Sequence, residues 1–369
     1  MRFPRWVLVD FSFFICYNTK KECNMKEFTE RMKKILDICM ESHASDLLIK
    51  TGLAPAIRVN GKLLAAEREP VSAEEVGAML DCILSDYQKG KYAENMQADS
   101  SFRYGETNFR CNVFRDIHGD NISVRRLNLV STDFNVLGIP EQLKKLVQSK
   151  SGMLLITGPT GSGKSTTMAC LINYLNQTTG QHIITLEDPI EYVYTPGRSI
   201  ISQREVGRDV ASFQSGLTAA LRQDPDVILV GEMRDKASIE IALTAAETGH
   251  LVLSTLHTTG TVNCIDRILS VFNAEQLGQI RQQFAMVLLG VLSQQLIPAV
   301  GGGMVLGTEF MVANSSVRGS IRTGKTAMLS TALQLGKAEG MYTMDTCLEQ
   351  LFQKGRITKE QMENYKLYR

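Results

Sequence analysis

Long apolar runs, cysteine pairs and an excess of either charge are all missing from this 369-residue chain. With 40 basic and 39 acidic side chains, its net charge of +1 gives no reason to expect a nucleic-acid partner. A single tryptophan likewise offers no hint of a base-stacking groove. The eight cysteines contain no C-x-x-C pair, so neither a disulfide framework nor a structural zinc site is signalled. Free thiols in a reducing compartment are the simplest account. Trp6 to Tyr17 is the one apolar stretch near the amino terminus, and Asp10 interrupts it. It falls short of the roughly 20 apolar residues of a membrane span and lacks a small-residue cleavage site. No transmembrane span is expected. Residues 1–24 read as a disordered extension, or as sequence upstream of a true start at Met25. The whole chain is 44% hydrophobic and 21% charged, the composition of a soluble globular chain long enough for about two domains.

What is present centres on Ser151 to Thr166. An apolar run, Met153 to Ile156, suits a buried parallel strand. Gly158-Pro159-Thr160-Gly161-Ser162-Gly163 follows, and Lys164-Ser165-Thr166 opens a helical stretch. This is G-x-x-x-x-G-K-[ST] in its strand–loop–helix context. Glycines let backbone N–H groups converge on a phosphate, and the start of a helix favours negative charge. Lys164 is expected at the β- and γ-phosphates of a nucleotide, and Ser165 on Mg²⁺.

Upstream, Met25 to Ser42 shows helical spacing. Ser45–Lys50, Ala56–Val59 and Lys62–Leu64 read as strands, with Asn60-Gly61 as a hairpin turn. Residues 72–92 read as one helix, and 101–104, 108–115 and 121–127 as antiparallel strands. A small α+β domain over 25–132 follows from this, and a linker over 133–150 leads to an α/β core over 151–312. Strands are expected in the core at 153–157, 182–187, 226–230 and 251–256, and residues 313–369 form a helical segment.

Three further features lie at or past those strands' carboxyl ends, where ligands bind in open α/β sheets. Glu187 closes a strand before Asp188-Pro189, well placed to orient or deprotonate a water, although such a strand ending is often only a turn. Glu232 stands one glycine beyond Val227–Val230, with Arg222 and Arg234 flanking it as phosphate contacts or as plain surface charges. His250 precedes a strand and His257 ends it, so His257 is the better candidate to sense a γ-phosphate.

In this order the four features resemble the Walker A motif, Asp box, atypical Walker B motif and His box of the secretion-type hexameric ATPases of type IV pili and type II secretion. The resemblance runs from about residue 26 to the end. Ala44 to Ile49 with Ile57 to Lys62 is similar to the family's PAS-like amino-terminal domain, and Met341 to Leu348 to the carboxy-terminal segment of its pilus-retraction branch. The implied fold is α/β, a RecA-like P-loop ATPase core with a smaller α+β PAS-like domain and a helical C-terminal segment. The resemblance also implies Glu187 as catalytic base, Glu232 as Mg²⁺ and water partner, and Arg110 and Arg125 reaching the phosphates. On sequence alone those two arginines are equally exposed strand charges. Two departures stand out. Thr218 occupies a position where relatives carry arginine, and the retraction branch's A-I-R-N-L-I-R-E becomes Ser316 to Thr323, keeping Arg318 and Arg322.

The expected function is a cytoplasmic homohexameric motor, peripheral at the inner face of the membrane. It would hydrolyse ATP to retract a type IV pilus through a membrane platform protein. An assembly, type II secretion or DNA-uptake motor of the same fold is the alternative within the class. A nucleotide-sensing regulator without turnover is the alternative outside it, and Glu187 and Glu232 argue against that.

Overall fold

A computed structural model describes residues 27–59, 61–105, 107–127, 133–233 and 235–367. The amino-terminal extension, Asn60 of the expected hairpin turn, and Arg234 lie outside the described residues. The described chain divides into two compact units, with boundaries after Ser100, Cys111 and Val124, so that residues 101–111 belong to the larger unit.

The smaller unit begins with α1 (Glu30–Glu41), whose Thr29 hydroxyl accepts from the Met32 N–H and caps the helix. Met32, Ile35, Leu36 and Cys39 repeat at helical spacing and are buried along one face. Strands β1 (Asp46–Lys50), β2 (Ala56–Val59) and β3 (Lys62–Ala65) pair antiparallel in succession. The expected single helix over 72–92 is instead two, α2 (Ala73–Ile83) and α3 (Asp86–Asn95). Ser72 and Ser85 each open a reciprocal capping box, with Glu75 and Gln88 respectively. The second box stops the first helix at Leu84, where the backbone turns extended. Strands β4 (Gln97–Tyr104), β5 (Thr107–Asp116) and β6 (Gly119–Arg126) complete a six-stranded sheet of order β3-β2-β1-β6-β5-β4.

In the larger unit, the short helices α4 (Phe134–Leu137) and α5 (Leu143–Val147) lead into a seven-stranded sheet. Its elements run β7 (Gly152–Thr157), α6 (Lys164–Thr178), β8 (His182–Glu187), β9 (Ile200–Glu205), α7 (Phe213–Ala220), β10 (Val227–Val230), α8 (Lys236–Glu247) and β11 (Leu251–Leu256). Helices α9 (Thr261–Leu269) and α10 (Ala274–Val287) precede the antiparallel pair β12 (Leu288–Pro298) and β13 (Met304–Val312). The order is β13-β12-β7-β11-β10-β8-β9. All strands but β13 run parallel. The four strands expected in the core are present. β9, β12 and β13 extend the sheet beyond them, and their mixed polarity is why the chain's periodicity does not announce them. β7, β10 and β11 are buried at every residue, matching their continuous apolar runs. Helices cover both faces of this sheet, with separate apolar clusters on each side.

The carboxy-terminal residues form α11 (Ser315–Thr323), α12 (Met328–Leu335), α13 (Met344–Gln353) and α14 (Lys359–Tyr365). Met344, Leu348, Ile357 and Met362 pack on Ile297 in a small core of their own. Arg318 donates from Nε to the Ala313 carbonyl at 2.7 Å and from Nη1 to the carbonyls of Ala285 and Met286. The surviving arginine of the altered motif therefore ties α11 to the end of α10. No helix among the described residues is long and apolar enough to cross a membrane.

Candidate nucleotide site

Parallel pairing puts the carboxyl ends of β7, β8, β10 and β11 on one edge of the sheet. The register sets Val230 opposite both Leu186 and Ser254, and Thr157 opposite Leu256. The residues that follow each strand therefore emerge side by side into a cleft of about 560 Å³. Thr160 to Thr166, Glu187, Glu232, His257 and Arg110 all line it.

The loop after β7 can only be built with glycine at its first position. Gly158 has φ of +149°, and a Cβ there would lie 2.3 Å from the Gln294 carbonyl oxygen and 2.6 Å from Ser162 Oγ. Gly163 precedes α6 in the left-handed region, and no side chain caps that helix. The first-turn N–H groups of α6 thus face the cleft without a capping acceptor. The Lys164 ammonium donates to the carbonyls of Gly158 at 2.8 Å and Pro159 at 3.0 Å. Burial lowers its pKa, against the opposing pull of Glu232 and Glu191. Ser162 Oγ is buried without a hydrogen-bond partner, a polar atom whose cost is relieved by a ligand oxygen. Together these features fit a bound phosphate chain.

Glu187 accepts at Oε1 from the Thr185 hydroxyl at 2.6 Å and from Gln203 Nε2 at 3.3 Å. Glu187 is half-buried in the wall of the cleft. Burial lifts its pKa to about 7, and the two hydrogen bonds only partly oppose this. A carboxylate that titrates near neutrality is suited to general-base work. Glu232 follows Gly231, where a Cβ would stand 3.1 Å from the Leu186 carbonyl oxygen. Thr255 Oγ1 donates to the Gly231 carbonyl at 2.5 Å and fixes this exit from β10. Beyond it, Glu232 Oε2 meets His257 Nε2 at 3.1 Å, joining the third and fourth sequence features directly. Ser165 and Glu232 bring hydroxyl and carboxylate oxygens to the same cleft, a hard donor pair that fits Mg²⁺.

Not every candidate lies in the cleft. Arg110 does, 3.7 Å from Glu191. Arg222 follows α7 at the opposite edge of the sheet, where its N–H donates to the Ala219 carbonyl and its side chain is exposed. Nearby, His182 at the start of β8 contacts the Asp224 carbonyl and Asp226. Arg125, near the end of β6, is exposed and does not line the cleft. His250 contacts the Ala245 carbonyl at 3.0 Å, before β11 rather than after it. The structure also adds residues that the motifs did not single out. Glu191 and Tyr192 line the cleft, the latter with its hydroxyl 2.9 Å from Thr166 Oγ1, and Thr185 and Gln203 hold Glu187. Gln203 reaches Glu187 only because β8 and β9 pair, and no local signal marks it.

Residues 26–304 match the type II/IV secretion system protein family. The chain belongs to that family. It is 42% identical over 328 residues to the type IV pilus retraction ATPase PilT of Pseudomonas aeruginosa, covering 89% of this chain and 95% of the relative. Another relative is the Pseudomonas aeruginosa type IV pilus ATPase PilU, 34% identical over 89% of this chain and 86% of its own length. Among solved structures, that of the pilus retraction motor PilT with bound ADP superposes with a TM-score of 0.84 at 40% identity, covering 91% of this chain and 97% of that one.

Proposed function

We propose that the protein is an ATP-hydrolysing motor that drives type IV pilus retraction, with a RecA-like core and a PAS-like amino-terminal domain. The observation that carries the reading is the convergence of Lys164, Glu187 and the Glu232–His257 pair in one cleft at the glycine-rich loop. Likeness to a retraction ATPase over nearly the whole chain supplies the direction of work.

In this reading the loop N–H groups and the start of α6 hold the β- and γ-phosphates, and Lys164 leaves its loop carbonyls to pair with them. Glu187 takes the proton of the attacking water. Glu232, held by His257, orients that water, so the pair reads whether a γ-phosphate is present. Ser165 and Glu232 would hold Mg²⁺, partly through water, and the ion would supply neutralisation of phosphate charge. Arg110, which faces Glu191, is positioned to offset charge on the phosphates during transfer.

Arg222 and Arg125 stand outside this cleft, so a role at the phosphates requires a second copy of the chain. A homohexameric ring is the assembly we propose on that ground. Its work would pass to a membrane platform protein from the cytoplasmic face. The test is retraction in cells lacking the gene, complemented with wild type or Glu232→Gln. Pili that assemble but do not retract, rescued by wild type alone, support the reading. Loss of pili altogether would assign the chain to assembly instead.

A further inference from the structure

β13 buries a carboxylate that the proposed hydrolysis does not use. Glu309 is 0% exposed. Its Oε1 accepts from the Thr261 backbone N–H at 2.7 Å and from the Thr261 hydroxyl at 2.8 Å. Its Oε2 accepts from the Met344 N–H at 3.2 Å. Thr261 and Met344 are the first residues of α9 and α13, so one anion sits at the positive ends of two helices. That setting, with charge-assisted hydrogen bonds, makes a buried carboxylate tolerable.

The two helices differ in how much they need it. α13 already has a local cap, the Thr343 hydroxyl accepting from the Thr346 N–H. α9 has none, because its capping position is Gly260. Glu309 thus provides from β13 what the sequence around α9 omits. The turn that it holds is the one leaving His257. Thr157 Oγ1, at the end of β7, meets the Thr258 carbonyl at 2.5 Å and the Thr258 hydroxyl at 2.8 Å. The Gly260 N–H donates to Ser293 Oγ on β12 at 2.9 Å. His257 therefore leads into a turn pinned at three places, by the strand that feeds the glycine-rich loop, by β12, and by Glu309. On the far side, Gly307 lets α13 press close, since a Cβ there would lie 3.3 Å from Met344 Sδ and 2.7 Å from Ile297 Cδ1.

We propose that Glu309 is a positioning residue for turnover. It clamps the start of α9 so that His257 meets Glu232, and through the same carboxylate it makes the start of α13 part of the clamp. This rests on the hydrolysis reading above. The carboxy-terminal segment is thereby tied to the catalytic cleft without lining it.

Steady-state ATP hydrolysis by the full chain tests this, comparing wild type, Thr261→Val, Glu309→Gln and the double variant, with ADP affinity and melting temperature measured alongside. Thr261→Val is nearly isosteric and removes one donor to Glu309. Glu309→Gln keeps an acceptor for Thr261 but turns an amide toward the Met344 N–H. Each single variant should lower kcat about tenfold while KM for ATP and ADP affinity stay within about twofold, because the turn is misplaced rather than the phosphate loop. The double variant should lose less than the product of the two, because both loosen one clamp, held by the single side chain at position 309. Singles with kcat within about twofold of wild type, whatever their melting temperatures, would overturn the proposal. So would kcat and KM losses that multiply in the double variant. If Glu309→Gln does not fold, Thr261→Val decides alone by the same kcat criterion. Absence of turnover in the wild type would instead refute the hydrolysis reading, a separate outcome.

Discussion

Protonation of Glu187 should set the acid limb of the pH–rate profile. Burial raises its pKa from 4.5 to about 7, and the proposed base must be ionised to accept a proton. For a single group of that pKa, kcat/KM should climb about tenfold between pH 6 and pH 8, with a limb of unit slope. The Thr185 hydroxyl, 2.6 Å from Oε1, favours the ionised form. A hydrogen bond to a charged group contributes about 1.5 kcal/mol, and a pKa unit corresponds to about 1.4 kcal/mol. Thr185→Val should therefore move the limb about one unit to the alkaline side, with little change in the plateau. Stability should run the other way. A raised carboxylate pKa means that the folded chain holds the proton more tightly than the unfolded one. Stability is then lost as pH rises from about 4.5 through about 7. The full shift corresponds to about 3 kcal/mol, and residual solvent contact reduces that to about 1–3 kcal/mol. Glu187→Gln, whose amide oxygen still accepts from Thr185 and Gln203, should recover this at pH 8 while abolishing turnover. Coupled phosphate-release kinetics and urea denaturation across pH 5.5 to 8.5 are the assays. A profile flat across pH 6 to 8, or a limb unmoved in Thr185→Val, would refute the base assignment.

Lys164→Ala should remove nucleotide binding, read as loss of the stabilisation by ADP, which amounts to about 2.7 kcal/mol at a hundredfold excess over Kd. Glu232→Gln should still bind ATP yet hydrolyse it at least about a hundredfold more slowly, and unchanged turnover would end its assigned role. Gly158→Ala should destabilise the fold by about 2–4 kcal/mol in denaturant titration, because its Cβ meets the Gln294 carbonyl oxygen at 2.3 Å. Chelation of Mg²⁺ should stop hydrolysis reversibly, with activity restored on re-addition.

Much of this protein is set by sequence alone. The continuous apolar runs of β7, β10 and β11 can be satisfied only inside a covered parallel sheet. Once the strands are parallel, residues placed just after them must share an edge. That is why Lys164, Glu187, Glu232 and His257 are legible as a group in the sequence. The glycines of the loop after β7 are equally legible, since the G-x-x-x-x-G-K-[ST] spacing marks them. Other contacts needed the folded chain. Gln203 reaches Glu187 across a strand pair, Glu191 meets Arg110 across 81 positions of sequence, and Glu309 caps a helix 48 positions away. Such contacts leave no periodicity and no spacing to read. The break at Ser85 shows the intermediate case, a local capping signal masked by a longer helical pattern. Arg222 shows the reverse, a residue beside a motif in sequence that the turn before β10 carries to the far edge of the sheet. Sequence determines which side chains a strand delivers to its end. Only tertiary packing decides what surrounds them, because burial and charge depend on neighbours brought from elsewhere in the chain.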